Sequence, residues 1–188
     1  AGITHNRFCC RILLTLLVAV MSGGAWAGND AVPFRKLTIG EGLSSHEITC
    51  IYQDSRGFIW IGTDNGLNRF DGYQIQIYRN DHSNGNTIGG NTVRCLFEDR
   101  NNNLWIGFKG EGMCRLNRIT GAVRNYVHDA DDNNSISCDD ISGIVEDRDG
   151  NIWIATDRGA LDMLDPATDV VTHFTVADAN KKPLNNGI

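Results

Sequence analysis

The chain has 188 residues, 41% of them hydrophobic and 21% charged, which is typical of one folded domain and excludes an intrinsically disordered segment. Beyond residue 27 it carries 15 basic and 23 acidic groups, a formal charge of −8. This balance argues against a nucleic-acid partner, whose phosphates require clustered cations. Glycine makes up roughly 11% of the chain against about 7% on average, which favours short strands joined by tight turns and hence an all-β fold.

The first 27 residues have the features of a secretory signal peptide. Arg7 and Arg11 precede an apolar run from Ile12 to Val20, and Ala25-Trp26-Ala27 is an A-x-A-like cleavage site. A membrane anchor is the alternative, but the run is too short to cross about 30 Å of hydrocarbon as a helix. We therefore expect export, which makes disulfides chemically possible.

A repeated pattern dominates the remainder of the chain. Aspartate stands six residues before tryptophan in three segments, 54–60, 99–105 and 147–153. The tryptophans are spaced by 45 and 48 residues. Each is followed by a second small residue and then by a closing aromatic residue, Tyr78, Tyr126 or Phe174. A period of this length indicates a repeat architecture.

Each repeat divides into four predicted strands. The first are the mostly apolar runs Ile48 to Gln53, Val93 to Glu98 and Ile141 to Glu146. An Asp-x-x-Gly turn follows (with Asn102 for glycine in the second repeat), then the tryptophan strand, a third strand, and a fourth that ends in the aromatic residue. Four antiparallel strands per repeat are typical of a β-propeller blade. We predict a segment 28–42 with a ring-closing strand from Phe34 to Ile39, blades at 43–90, 91–138 and 139–183, and the start of a fourth at 184–188.

The cysteines fit the same repeat. Cys50 and Cys95 occupy equivalent positions, where the third repeat has Gly143, which indicates a slot for a small residue and favours free, buried thiols. Pairing of Cys114 with Cys138 stays open. The absence of C-x-x-C and of metal-ligand spacing among the histidines predicts no metal and no cofactor.

The segments 54–63, 65–71 and 147–156 resemble the two-component-regulator propeller repeat, and Leu37 to Ser44 is similar to the start of the mature sensor region in that family. The resemblance implies about three blades of an incomplete, seven-bladed propeller, in the periplasmic sensor part of a hybrid two-component histidine kinase of Bacteroidetes. Family sensors carry about fourteen repeats in two propellers, so the chain resembles an N-terminal fragment. The resemblance also implies an oligosaccharide ligand. It further implies a parent chain that is anchored in the inner membrane, holds the kinase activity and can form a homodimer.

Strand parity predicts where a ligand would bind. In a four-stranded antiparallel blade, the turn between strands two and three emerges at the same end as the connection between blades. Phe108, where the other repeats have threonine, is a candidate for stacking on a sugar ring, with packing on a neighbouring blade as the alternative. The candidate ligand-binding residues are Asp64, Asn65, Phe108, Lys109, Glu111, Asp157 and Arg158.

Other patterns favour structural roles. The repeated Asp54, Asp99 and Asp147 are expected to shape turns rather than to catalyse, and the tryptophans to form the core rather than a sugar platform. The spacing within Asp129 to Asp140 is similar to a calcium-binding EF-hand loop, but glycine is missing at its sixth position, so an inter-blade connection is favoured. No catalytic residues are predicted. A secreted polysaccharide-active propeller enzyme and a protein-interaction scaffold are the alternative functions.

Overall fold

The computed structural model describes residues 36–157 and 159–174. The chain divides into two compact units, residues 1–36 and 37–188, and all that follows concerns the second. The predicted signal peptide, Phe34 and the segment 184–188 lie outside the described residues. Within the described part of the chain, no helix is long and apolar enough to cross a membrane.

The second unit is built from three four-stranded antiparallel sheets, each with its strands in chain order. Blade 1 contains β1 (Ile48–Gln53), β2 (Ile59–Thr63), β3 (Gly66–Phe70) and β4 (Ile75–Tyr78). Blade 2 contains β5 (Val93–Glu98), β6 (Asn103–Phe108), β7 (Met113–Asn117) and β8 (Val123–Tyr126). Blade 3 contains β9 (Ile141–Glu146), β10 (Ile152–Thr156), β11 (Leu161–Asp165) and β12 (Val170–Phe174). The prediction of an all-β chain made of propeller blades is confirmed.

The turn after the first strand of each blade is held by its aspartate. In blade 1, Asp54 Oδ1 accepts hydrogen bonds from the amides of Arg56 and Phe58 at 2.9 and 3.0 Å. The turn also requires a left-handed residue, which is Gly57 with φ 87° in blade 1 and Asn102 with φ 63° in blade 2. Asparagine therefore replaces glycine in this turn without changing its shape, as predicted.

The core lies between neighbouring blades. Trp60 packs against residues of blade 2 such as Leu104 and Ile106, and Trp105 packs against Ile141 and other residues of blade 3. Trp60 is 1% exposed and Trp105 is fully buried. Neither ring can serve as a sugar platform, which confirms the predicted role of these two tryptophans in the core.

In blades 1 and 2, a cysteine of the first strand pairs with a glycine of the second strand. Cys50 of β1 pairs with Gly62 of β2, and Cys95 of β5 pairs with Gly107 of β6. A Cβ atom on either glycine would stand 2.5 Å from the sulfur of its partner, so the missing side chain makes room for the thiol.

All four cysteines beyond residue 27 are free thiols in the structure. Burial raises the pKa of Cys95 and of Cys114 to about 12. Cys138 is also buried, and its sulfur accepts a hydrogen bond from the Asp140 amide at 3.5 Å. The expectation of free thiols is met, although Cys50 and Cys95 are only partly buried. The open question of a Cys114–Cys138 pair is answered by two separate thiols.

The segment before blade 1 packs on that blade through Ser44. Asn68 Oδ1 accepts a hydrogen bond from the Ser44 amide at 2.9 Å, and Asn68 Nδ2 donates one to the Ser44 hydroxyl at 2.8 Å. Upstream, residues 36–38 have no regular structure and Ile39–Glu41 form a short 3-10 helix. The ring-closing strand from Phe34 to Ile39 was expected to pair within a longer parent chain, and it stays a prediction.

Candidate functional site: the loop end of the blades

The three turns between second and third strands emerge beside the connections between blades. We call this the loop end; within the described residues it comprises 64–65, 109–111, 157 and 159 with the connecting segments 80–91 and 128–140. The amide of Gly66 donates to the Asn91 carbonyl at 2.7 Å, and that of Gly112 donates to the Asp139 carbonyl at 2.9 Å. The antiparallel topology thus places the turns where strand parity predicts them.

Residues Asn91 and Thr92 bring the turns of blades 1 and 2 together. The Asn91 amide donates to Glu111 Oε2 at 3.1 Å, and the Thr92 carbonyl accepts from the Lys109 amide at 3.0 Å. The Thr92 hydroxyl donates to the Asp64 carbonyl at 3.5 Å. Three of the candidate residues, Asp64, Lys109 and Glu111, therefore gather around one short segment, and the first two of them are exposed.

Asp157 joins the same end from blade 3. Its carboxylate forms an ion pair with Arg94 of β5 at 2.5 Å, and its amide donates to the Asp140 carbonyl at 3.0 Å. The hydrogen bond to Asp157 raises the pKa of Arg94. Both side chains are partly exposed, so the pair is a weak contributor to stability and available to a ligand.

Arg94 was missed by the sequence analysis. The signal for it was a cation at a position where the other two repeats have the uncharged Thr49 and Ser142. Arg158, a candidate in the sequence, lies outside the described residues.

Asn65 has a positioning role at this end. Its side-chain amide donates to the Ser44 carbonyl at 3.1 Å, and its own carbonyl accepts from Arg79 Nε at 3.1 Å. These bonds fix the turn of blade 1 against the segment that precedes the blade. Asn65 remains exposed.

Phe108 does not belong to an accessible site, which corrects the expectation that its ring could stack on a sugar. The residue is fully buried and packs in the core between blades 1 and 2. Because side chains alternate along β6, Phe108 continues the inward row of Leu104 and Ile106. The threonines at the equivalent position, Thr63 and Thr156, are buried as well.

The segment similar to an EF-hand loop folds as a connection between blades. Asp129 Oδ1 accepts the Asp131 amide at 3.0 Å, and the Asp129 amide donates to the Ser135 hydroxyl at 2.9 Å. These local bonds are typical of Asx turns. Over residues 36–157 and 159–174, no group of three or more His, Cys, Asp or Glu side chains is placed to hold a metal ion.

Ser137 of the connecting segment 128–140 contacts Asp162 and His173 of blade 3, but not in a hydrolytic arrangement. The Ser137 hydroxyl donates to the buried Asp162 carboxylate at 2.5 Å, and His173 Nδ1 lies 2.7 Å from the same oxygen. His173 Nε2 faces the Asn133 carbonyl at 3.0 Å. A serine nucleophile would need the imidazole nitrogen opposite the aspartate, so this cluster only ties the connection to the blade.

Comparison with known proteins agrees with this geometry. Residues 42–65, 87–110 and 135–158 match the two component regulator propeller family. The fold is similar to the extracellular domain assigned to a hybrid two-component system of B. thetaiotaomicron, with a TM-score of 0.71 and 28% identity over 79% of this chain and 21% of that one. A second such extracellular domain from the same organism gives a TM-score of 0.61 and 26% identity over 73% of this chain and 19% of that one.

A similar sequence is histidine kinase P4 of Formosa agariphila, which is 34% identical over 77 residues, 41% of this chain and 6% of that protein. The chain spans about a fifth of the two extracellular domains and a small part of the kinase. The fold thus resembles the extracellular propeller domains of two-component systems rather than a catalytic domain. Each of its three blades overlaps one of the segments that match the two component regulator propeller family.

Proposed function

We propose that this chain is the ligand-sensing, periplasmic propeller part of a hybrid two-component sensor histidine kinase, exported by the segment 1–27, and that its ligand is an oligosaccharide. The similarity to extracellular domains assigned to hybrid two-component systems supports the sensory role. In this proposal the kinase, the inner-membrane anchor and any homodimer contact belong to the parent chain.

The observation that carries the ligand proposal is the gathering of polar groups from all three blades at the loop end. Exposed carboxylates of Asp64 and Asp157 stand with the cations Lys109 and Arg94 on one side of the blades. Sugar hydroxyls both donate and accept hydrogen bonds, so they can satisfy carboxylates and cations together. Glu111 and Asn65 hold the turns that present these groups.

The experiment is a calorimetric titration of the complete sensor region with a panel of neutral and acidic oligosaccharides, followed by single variants. Lys109→Gln and Asp157→Asn should each weaken binding about tenfold, which corresponds to one charge-assisted hydrogen bond. Matched variants at the opposite end of the blades, Arg56→Gln and Asn101→Ser, should leave the affinity unchanged. Loss of affinity only in the second pair would place the ligand at the other end and contradict the proposal.

A further inference from the structure

The junction between blades 1 and 2 and the junction between blades 2 and 3 are closed by the same asparagine contact. Asn86 Oδ1 accepts the Val123 amide at 2.9 Å, and Asn134 Oδ1 accepts the Val171 amide at 2.7 Å. Each asparagine reaches from a connecting segment to the first or second residue of the next blade's fourth strand. The two junctions can therefore be compared position by position.

The comparison makes Gly121 and Asp169 equivalent. Asn86 Nδ2 donates to the Gly121 carbonyl at 3.5 Å, and Asn134 Nδ2 donates to the Asp169 carbonyl at 3.0 Å. Both residues have the same left-handed backbone, with φ 75° for Gly121 and 58° for Asp169. The difference between the junctions at this position is therefore a carboxylate side chain.

At the junction of blades 2 and 3, the Asp169 carboxylate occupies the space between the blades. One oxygen accepts the Tyr126 hydroxyl at 2.9 Å, and the other pairs with Arg124 at 2.9 Å. Arg115, whose guanidinium carbon lies 5.7 Å from the Trp105 ring centre, stands on the same side of the sheet. Tyr126 and Arg124 thus bind a built-in carboxylate, with Arg115 as a second cation on that face of the sheet.

At the junction of blades 1 and 2 the corresponding space is a cavity of about 280 Å³. Its lining includes Arg69 and Tyr78, the register equivalents of Arg115 and Tyr126, and Gly121 in place of the aspartate. A Cβ atom added to Gly121 would meet nothing within 4 Å. The cavity therefore exists where the neighbouring junction holds its carboxylate.

The lining of this cavity is cationic. It contains three arginines and no aspartate or glutamate. Arg118 pairs with Asp54 and Glu98, and Arg79 donates to the Asn65 carbonyl, which leaves Arg69 as the arginine of the lining without a polar partner in the described part of the chain.

Arg69 is held in place by aromatic contacts. Its guanidinium carbon lies 4.8 Å from the centre of the Phe58 ring, and its Nε is buried without a hydrogen-bond partner among the described residues. The pKa of Tyr78 is raised by burial and lowered less strongly by the charge of Arg69, which places that charge near the phenol. A fixed cation with an unsatisfied donor beside a hydroxyl is an arrangement that binds an anion.

We propose that the cavity between blades 1 and 2 binds a small carboxylate ligand, such as a monosaccharide acid or a short organic acid, through Arg69 and Tyr78, in the position that Asp169 fills between blades 2 and 3. The volume is close to the lower end of the roughly 300–1,000 Å³ found for small-molecule pockets, so it suits one sugar ring or smaller. The cavity shares residues 86–88 with the connecting segment of the loop end, but its lining contains none of the candidate residues of the turns. The proposal therefore does not depend on the proposed oligosaccharide.

The test is an NMR titration of the full chain with sodium acetate and with sodium D-glucuronate, with D-glucose and sodium chloride as uncharged and ionic controls. At least one carboxylate should shift the Gly121 and Val123 amides in a saturable manner, and the controls should not. Gly121→Asp should abolish this binding because it supplies the carboxylate internally. Gly121→Asn, which has similar size and tolerates the left-handed backbone, should retain it within about twofold. Arg69→Gln should weaken it at least about tenfold.

Circular dichroism of each variant separates lost binding from lost folding, and Arg69→Gln tests the site even where a substitution at Gly121 unfolds the chain. The proposal is overturned by a lack of saturable binding of both carboxylates. Equal affinity of Gly121→Asp and the unsubstituted chain, or equal shifts with glucose, would overturn it as well.

Discussion

Trp60 in strand β2 donates its indole N–H to the carboxylate of Asp54, in the turn before that strand, across 2.8 Å. The same bond recurs in blades 2 and 3, at 2.9 and 2.8 Å. The repeated spacing of six residues is therefore the spacing at which a turn carboxylate reaches the ring of the following strand. This contact explains why the motif needs both residue types and confirms the structural role predicted for the aspartates.

Removing one of these carboxylates should cost stability. Asp99 accepts hydrogen bonds from the Trp105 ring and from the amides of Asn101 and Asn103. We expect Asp99→Ala to lower the free energy of unfolding by about 3 kcal/mol, because buried donors lose a charged acceptor. Urea denaturation measures this. Asp149→Ala, an exposed position in the equivalent turn of blade 3, is the control and should change stability by less than about 0.5 kcal/mol.

A buried ion-pair network joins blades 1 and 2. Arg118 contacts both Asp54 and Glu98, and its side chain is 4% exposed. We expect Arg118→Met to destabilise the chain by about 3–5 kcal/mol, because two buried carboxylates lose their cation. Arg100→Met is the matched control, since Arg100 pairs with Glu146 between blades 2 and 3 but is half exposed; it should cost about 1 kcal/mol or less. Equal losses in the two variants would contradict this distinction.

The pair of His173 and Asp162 should make stability depend on pH. The hydrogen bond to Asp162 raises the pKa of His173 above its ordinary value near 6.5. Because the pKa of His173 is higher in the folded than in the unfolded state, protonation of His173 stabilises the protein below about pH 6.5. This stabilisation is lost as the pH rises through the folded-state pKa. The stability difference between the unsubstituted chain and His173→Gln should therefore be larger at about pH 5.5 than at about pH 8.5. A difference that is constant over this range, or that matches the exposed His46→Gln, would contradict the assignment.

The close approach of β5 and β6 predicts coupled substitutions. A Cβ on Gly107 would stand 2.5 Å from the Cys95 sulfur and 2.7 Å from Cγ2 of Ile141. We expect Gly107→Ala to cost about 1–3 kcal/mol through overpacking. Adding Cys95→Gly should recover part of this loss, since blade 3 already opposes glycine and alanine at this position. A double-mutant cycle measures the coupling, and strictly additive effects would show that the thiol is not the obstacle.

The repeat made the blades predictable, whereas contacts between blades were less so. The first strand of each blade begins and ends where the apolar runs do, for example at Ile48 and Gln53, because their spacing to the aspartate turn fixes the register. For Phe108 the structure shows the alternative given in the sequence analysis, packing on a neighbouring blade, rather than sugar stacking. Arg118 and Gly121 gave no signal, since their roles depend on which residues of another blade face them.

The loop end was predictable only as a location. Strand parity places Asp64, Lys109 and Asp157 at one end without the coordinates. The pairing of Asp157 with Arg94 depends on the angle between blades 2 and 3, which one blade's sequence does not specify. The cavity beside Arg69 could not be predicted either, because it depends on Gly121 at the junction of blades 1 and 2 where the junction of blades 2 and 3 has Asp169.

The central claim is that the loop end of these blades contacts an oligosaccharide. The most direct measurement is backbone amide NMR of the complete sensor region while its oligosaccharide is titrated. The proposal predicts that saturable shifts within this chain concentrate at residues 64–65, 92–94, 109–111 and 157. Shifts confined to the opposite turns around Arg56 and Asn101, with the loop end unchanged, would contradict it.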